Sequence, residues 1–263
     1  MKKVSFVILL AILALFSSSC KKDKINLSEQ IIGKWETTKS TGGTNPLTND
    51  LDVLTFVSPS KAFMSASFNS SMVPGVLWWD QQEFDVKIDG SKATLTGHID
   101  EHTTILIELE VSSIGKSEML AKRTITKSVD GNFVNSVKQD VRYVKVDENY
   151  KQNILGTWEG RCTSGEGEAA SDNGQTHRWE YKADGTYVYY EKDGDNWIPC
   201  PTNELNEYFV DGDLLFTRWI DNGQEYRENW GIAINDNTMD WSALRLYDDG
   251  TSHVVSFEMT KVN

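Results

Sequence analysis

The chain has 263 residues, 11% of them aromatic and 25% charged, with a formal net charge of −13. Affinity for nucleic acid comes from Lys and Arg displacing counterions from phosphates, so so acidic a chain is not expected to bind DNA or RNA. The charge is uneven: Ile25 to Val146 carries 12 Lys and Arg against 15 Asp and Glu, whereas Asp147 to Asn263 carries 9 against 23.

Lys2 and Lys3 open the chain and precede an uncharged apolar run from Val4 to Phe16. A permanent transmembrane helix needs about 20 apolar residues, so this shorter run reads as the apolar core of a signal peptide. Ser17, Ser18 and Ser19 then lead into Cys20 and the polar stretch Lys21-Lys22-Asp23-Lys24. The arrangement resembles a bacterial lipoprotein signal, with Ser17 where the usual pattern has Leu. The resemblance implies that residues 1–19 are removed and that Cys20 is acylated, with palmitate among its chains. Residues 20–28 then form the lipidated cysteine and its tether, and the mature chain has 244 residues. An ordinary signal peptide followed by an incidental cysteine is the simpler alternative. Each buried CH₂ of an acyl chain adds roughly 0.8 kcal/mol, so a multiply acylated Cys20 is held firmly in one leaflet. The body is expected outside the cytoplasm, on the bacterial cell envelope. By analogy with lipoprotein sorting, Lys21 in place of Asp favours the outer membrane over the inner one, with either side of it open.

The remaining length fits one large domain or two ordinary ones, and a repeat argues for two. Ile31-Ile32-Gly33-Lys34-Trp35-Glu36 is matched by Ile154-Leu155-Gly156-Thr157-Trp158-Glu159, which places the two tryptophans 123 residues apart. The ends match as well: Val141 to Val146 resembles Ser256 to Val262 in its alternation. Domains are therefore expected at 29–146 and 150–263, with a linker near Asp147 to Asn153.

Within each half, turn signals separate strand-like runs. Asx-Gly pairs occur at Asp89-Gly90, Asp130-Gly131, Asn173-Gly174, Asp184-Gly185, Asp193-Gly194, Asp211-Gly212, Asn222-Gly223 and Asp249-Gly250. Tight hairpins need positive φ at their central residues, which Asx-Gly adopts at low cost. Glu83 to Ile88, Thr103 to Val111, His177 to Lys182, Thr186 to Glu191 and Leu214 to Trp219 are rich in β-branched and aromatic residues. No stretch past the signal keeps a helical period. The expectation is an all-β protein of two tandem small antiparallel up-and-down barrels.

Gly-x-Trp on an opening strand, a string of hairpins and a closing strand resemble a lipocalin-like β-barrel, here twice over in one lipoprotein. In lipocalins a basic residue near the last strand covers the first-strand tryptophan. The resemblance implies Lys145 over Trp35, beside Gly33, and Lys261 over Trp158, beside Gly156, with Lys where Arg is usual. It also implies a lid after the first strand of the second half, at Gly165 to Gly174.

Alternation puts Trp179 and Tyr181 on one face of a strand, Tyr187 and Tyr189 on one face of the next, and Tyr226 and Trp230 on another, with Trp219 and Trp241 available. If these faces point inward, they line a cavity suited to a small apolar ligand or a sugar ring, or else they fill the barrel. Of the Trp78-Trp79 pair, one ring is expected inside and the other outside, available to a partner or simply a surface aromatic. Cys162 and Cys200 are disulfide candidates, with two separate thiols as the alternative. His98 and His102 lack the zinc-protease motif, and the Asp-Gly-Asp triplets read as turns rather than calcium loops or catalytic carboxylates. No catalytic residue, metal or cofactor is expected. The reading is a small-ligand or glycan-binding envelope lipoprotein; the alternative is a pair of filled barrels acting as a scaffold for a protein or glycan partner at the membrane.

Overall fold

The computed structural model describes residues 25–37, 51–68, 77–164, 174–200, 203–221, 223–246 and 252–262. Cys20, its signal and most of its tether, and the lid candidate at 165–173, lie outside these residues. The described residues open with one helical turn, α1 (Leu27–Gln30), and continue as antiparallel strands. The first eight are β1 (Gly33–Thr37), β2 (Asp52–Ser58), β3 (Lys61–Phe68), β4 (Leu77–Asp89), β5 (Lys92–His98), β6 (Thr103–Ile114), β7 (Glu118–Val129) and β8 (Asn132–Lys145). They pair in chain order, and β8 returns to β1, so this sheet is a closed barrel. The second half contributes β9 (Gly156–Ser164), β10 (Thr176–Tyr181), β11 (Tyr187–Asp193), β12 (Asn196–Pro199), β13 (Asn203–Asp211), β14 (Leu214–Asp221), β15 (Gln224–Asn235), β16 (Thr238–Leu246) and β17 (Ser252–Val262).

These nine strands form one curled sheet in the order β12-β11-β10-β9-β17-β16-β15-β14-β13. Among the described residues the start of β11 meets β13 at one isolated bridge, Thr186 to Glu207, supported by the Tyr208 N–H donating to Gly185 O at 2.8 Å. The all-β expectation therefore holds, with one barrel fully closed and the other a curled half-barrel. Asp-Gly turns sit where the hairpin logic put them, with Gly90, Gly131, Gly185, Gly194 and Gly212 all at positive φ. Asp236 and Asn237 turn β15 into β16 without a glycine, Asp236 itself adopting φ +49°.

Both halves are built on the same opening device. Trp35 and Trp158 are fully buried, and each indole N–H donates 2.6 Å to the carbonyl four residues earlier, of Ile31 and Ile154. Lys145 pairs with Trp35 and Lys261 with Trp158 across the last-to-first strand ladder, and each ammonium lies 5.2 Å from the ring centroid. Gly33 and Gly156 have φ +124° and +112°, and a Cβ on either would press into the lysine stem that covers the ring. The motif is thus Gly-x-Trp because the cover lies over both positions. Replacing Lys145 or Lys261 with Met keeps the stem and removes the charge. Each change is expected to cost about 0.5–2 kcal/mol, read by urea denaturation; no loss in either variant would contradict the cover's role.

Below the rings, Leu27 and Ile31 plug the closed barrel, while Ile154, with Tyr150 packed beside it, does the same for the second half. The closed barrel's core runs through Phe56, Met64, Phe84, Leu95, Ile107 and Leu109. Within it sits a charged group: Arg123 pairs with Asp52 and donates 2.9 Å to Tyr143 Oη, and the Gln139 amide oxygen stands 3.0 Å from its Nε.

Candidate functional site

The second sheet has two unlike ends. At one, turns after β10, β13 and β15 close over Tyr181, Tyr208, Val210 and Met239, all buried. At the other, β9, β14 and β16 end and β10, β15 and β17 begin. Register defines which side chains point inward there. Trp179 and His177 share the face of buried Tyr181, Tyr189 that of Tyr187, Asn206 that of Tyr208, and Tyr226 and Glu228 that of Trp230. Although inward-facing, His177, Trp179, Tyr189, Asn206, Trp219 and Glu228 are only half-buried, and Tyr226 is 38% exposed. These side chains of the concave face therefore keep surface that water reaches.

The eight aromatic candidates divide into two groups. Tyr181, Tyr187, Trp230 and Trp241 are buried in the core with Trp158 and Phe257. Trp241 is the hub, with ring centroids of Trp179 at 4.8 Å, Trp230 at 5.6 Å and Phe257 at 5.9 Å. Above it, Trp179 stands 5.2 Å from Tyr189, and His177 lies 5.4 Å from Trp179 with its Nδ1 3.2 Å from the Tyr189 hydroxyl. Trp219 and Tyr226 form a separate pair at the rim, 5.5 Å apart with planes 16° from parallel. Burial raises the Tyr181 and Tyr187 hydroxyls above their usual range, and the Glu228 carboxylate adds to both shifts, which places its charge toward the same interior. Burial likewise pushes Tyr208 up to about 12.

Sequence reasoning missed Asn206 and Glu228, because a polar residue at an inward position announces itself only once register is known. The expected disulfide is not formed: Cys162 and Cys200 are both thiols. Cys162 is on β9 and Cys200 extends β12, three strand steps apart in the sheet order and so roughly 14 Å along it, beyond bridging range. Cys162 is buried, and Cys200 Sγ donates to Glu191 Oε1 at 3.5 Å. Among the described residues no group of three or more His, Cys, Asp or Glu is placed to hold a metal ion.

No protein-family model and no curated protein matches the chain. Among solved structures it is similar to a protein of unknown function from the DUF3598 family of Nostoc punctiforme PCC 73102, at 11% identity over 89% of this chain and 97% of that one, with a TM-score of 0.28. It is also similar to a double mutant of the vaccine antigen transferrin binding protein B from Haemophilus parasuis Hp5. There the identity is 8% over 80% of this chain and 46% of that one, with a TM-score of 0.25. Likenesses this loose carry no argument about what this chain does.

The outer wall of the second sheet is itself occupied, by the closed barrel. Leu51 and Val53 pack against Phe209, Leu214 and Phe216, with Trp78 beside them. Trp79 lies in the closed barrel's core, whereas Trp78 meets Phe209 edge-on at 4.7 Å beneath Arg218 at 4.8 Å. The outward ring of the Trp78-Trp79 pair thus has a partner, and it is the other half of the same chain. The Asp211-Gly212-Asp213 turn docks on β1: Asp211 takes Lys34 and Gln81, and the Asp213 N–H donates 3.1 Å to Glu36 Oε1. Gln81 reaches Asp211 from a β-bulge, at φ +61°, that re-aims its side chain. Asn229 crosses the same boundary to Ser67 O at 3.1 Å.

Beside this contact a cleft of about 590 Å³ separates the halves, lined by Glu36, Asp213, Asp240 and Glu258 over a floor that includes Ser242 and Ser256. Trp241 and Phe257 also border it but belong to the core of the second sheet, and the carboxylates on its walls are of one charge sign. The ring-lined mouth has the better chemistry for a small ligand.

Proposed function

We propose that the chain is a binding protein of the bacterial cell envelope, anchored by lipid on Cys20 at the outer membrane rather than the inner, whose second half takes a small ligand at its open end. The anchor and the compartment rest on the sequence pattern around Cys20. The observation that carries the binding role is the set of inward-facing rings at Trp179, Tyr189, Trp219 and Tyr226 that water still reaches. Small-molecule sites are concave, mostly apolar and furnished with a few polar groups, and His177, Asn206 and Glu228 supply those. No catalytic step is assigned to it.

A second reading draws on the deep burial of Tyr181, Trp230 and Trp241, which leaves the lower part of the second half solid. In that reading both halves are a scaffold for a macromolecular neighbour, and crosslinking in intact cells would capture one. The test of the first reading is titration of the purified mature protein with a flat apolar naphthylamine dye and with neutral disaccharides, followed by tryptophan fluorescence. A saturable change that weakens in the Trp219→Ala, Tyr226→Ala double variant is expected. Silence with every probe would remove the binding role and favour the scaffold.

A further inference from the structure

We infer that the ligand taken at the open end of the second half is a neutral saccharide, held by ring stacking and by hydroxyl hydrogen bonds; this rests on the proposal that this end binds a ligand at all. The first observation is the shape of the rim. Trp219 and Tyr226 face each other in register on β14 and β15 as a stacked pair, with Tyr226 38% exposed at the rim. Trp179 and Tyr189, registered together on β10 and β11, stand on another side of the opening. Flat π-faces on separate walls suit a flat ring with an apolar face.

The second observation decides between a greasy ring and a hydroxylated one. Asn206 Oδ1 and Trp241 Nε1, both on inward-facing residues, are shielded from water and have no hydrogen-bond partner among the described residues. Trp241 is 3% exposed, so its indole N–H is a buried donor with nothing among the described residues to donate to. A wholly apolar ligand would leave an orphan acceptor and an orphan donor in a still drier place, at a cost. A hydroxyl donates and accepts, so one class of ligand group answers both. The third observation is charge. Glu228 lies on the same inward face, in the half of the chain with 23 acidic against 9 basic residues. That disfavours fatty acids, phosphates and acidic sugars, and leaves a carboxylate to accept from a neutral sugar's hydroxyls.

The test uses the full mature chain and four probes: cellobiose, maltose, N,N′-diacetylchitobiose and the naphthylamine dye, with choline as a cationic control for the aromatic walls. At least one disaccharide is expected to saturate, and the Trp219→Ala, Tyr226→Ala double variant to weaken it by about tenfold or more. Asn206→Leu removes the orphan acceptor at about the same side-chain volume. It is expected to weaken the same disaccharide by about tenfold while leaving the melting temperature unchanged or higher, which a purely structural role for the amide would not give. Binding of the dye or choline with no disaccharide bound overturns the ligand class and leaves the binding role standing. Saccharide binding that is indifferent to both sets of substitutions overturns the placement. Silence with all the probes brings down the binding role itself.

Discussion

Replacing Arg123 with Met is expected to destabilise the closed barrel by about 3–5 kcal/mol. The guanidinium is 1% exposed and its partner Asp52 is fully buried, so removing one charge strands the other in a dry interior. Burial already pushes the Asp52 carboxyl above its ordinary range, against the lowering pull of Arg123. Burial opposes the charge on Arg123 too, yet Asp52 and Tyr143 keep the guanidinium more basic than usual. The Asp52 Oδ2 atom has no partner among the described residues, so the site has no reserve with which to absorb the loss. Since folded domains exceed their unfolded states by only about 5–15 kcal/mol, the variant would stand near its unfolding threshold. The double change Asp52→Leu with Arg123→Met removes both charges and is expected to recover most of the loss, because an apolar replacement of a buried pair is often neutral or better. Urea denaturation of the three proteins measures this. A single Arg123→Met variant within about 0.5 kcal/mol of the parent would show that the pair is not the barrel's critical contact.

The boundary between the halves should make stability fall as pH rises. Glu36 is 3% exposed and is pushed up to about 10, first by burial and then by Asp213, with Asp211 adding to the shift. Lys34, the nearby cation, is engaged by Asp211. The unfolded chain loses this proton near its ordinary value of 4.5, whereas the folded chain holds it to about 10. Between those limits the native state binds the extra proton, so unfolding becomes easier with each step up in pH. The slope is at most about 1.4 kcal/mol per pH unit for one group. Glu36→Gln keeps an oxygen for the Asp213 N–H and cannot ionise. Its advantage over the parent is expected to grow from about pH 5 to about pH 9, and thermal melts of both proteins across that range measure it. Parallel curves would mean that Glu36 carries no linked proton. The same contact explains the turn glycine: at φ +67° Gly212 takes a conformation few residues adopt, and a Cβ there would overlap the Glu36 carboxyl.

Much of the fold was legible because its signals are local. An Asx-Gly pair sets its own turn geometry, and the strand-forming residues of Leu214 to Trp219 mark a strand whatever it pairs with. The lysine covers over Trp35 and Trp158 came from resemblance, and their geometry is duplicated at both sites. The single turn at Leu27–Gln30 escaped notice because four residues have no detectable period. Assigning Trp179 and Tyr181 to one face needed only the strand. Knowing that Tyr181 is core while Trp179 meets water needed the level of each in a curled sheet, which depends on eight other strands.

Sequence by itself determined the β content, the repeat with its two tryptophans and the Asp-Gly hairpin positions, since each is written within a few consecutive residues. Tertiary structure alone decided that the first sheet closes while the second, among the described residues, meets itself at one bridge, and that Cys162 and Cys200 stand three strands apart. It alone decided that Trp78 is covered by Phe209 and Arg218, more than a hundred residues away, and that Glu36 shares its surroundings with two aspartates. Contacts of that kind join residues whose separation along the chain carries no periodic or local signature, so only the packed fold brings their charges and rings together.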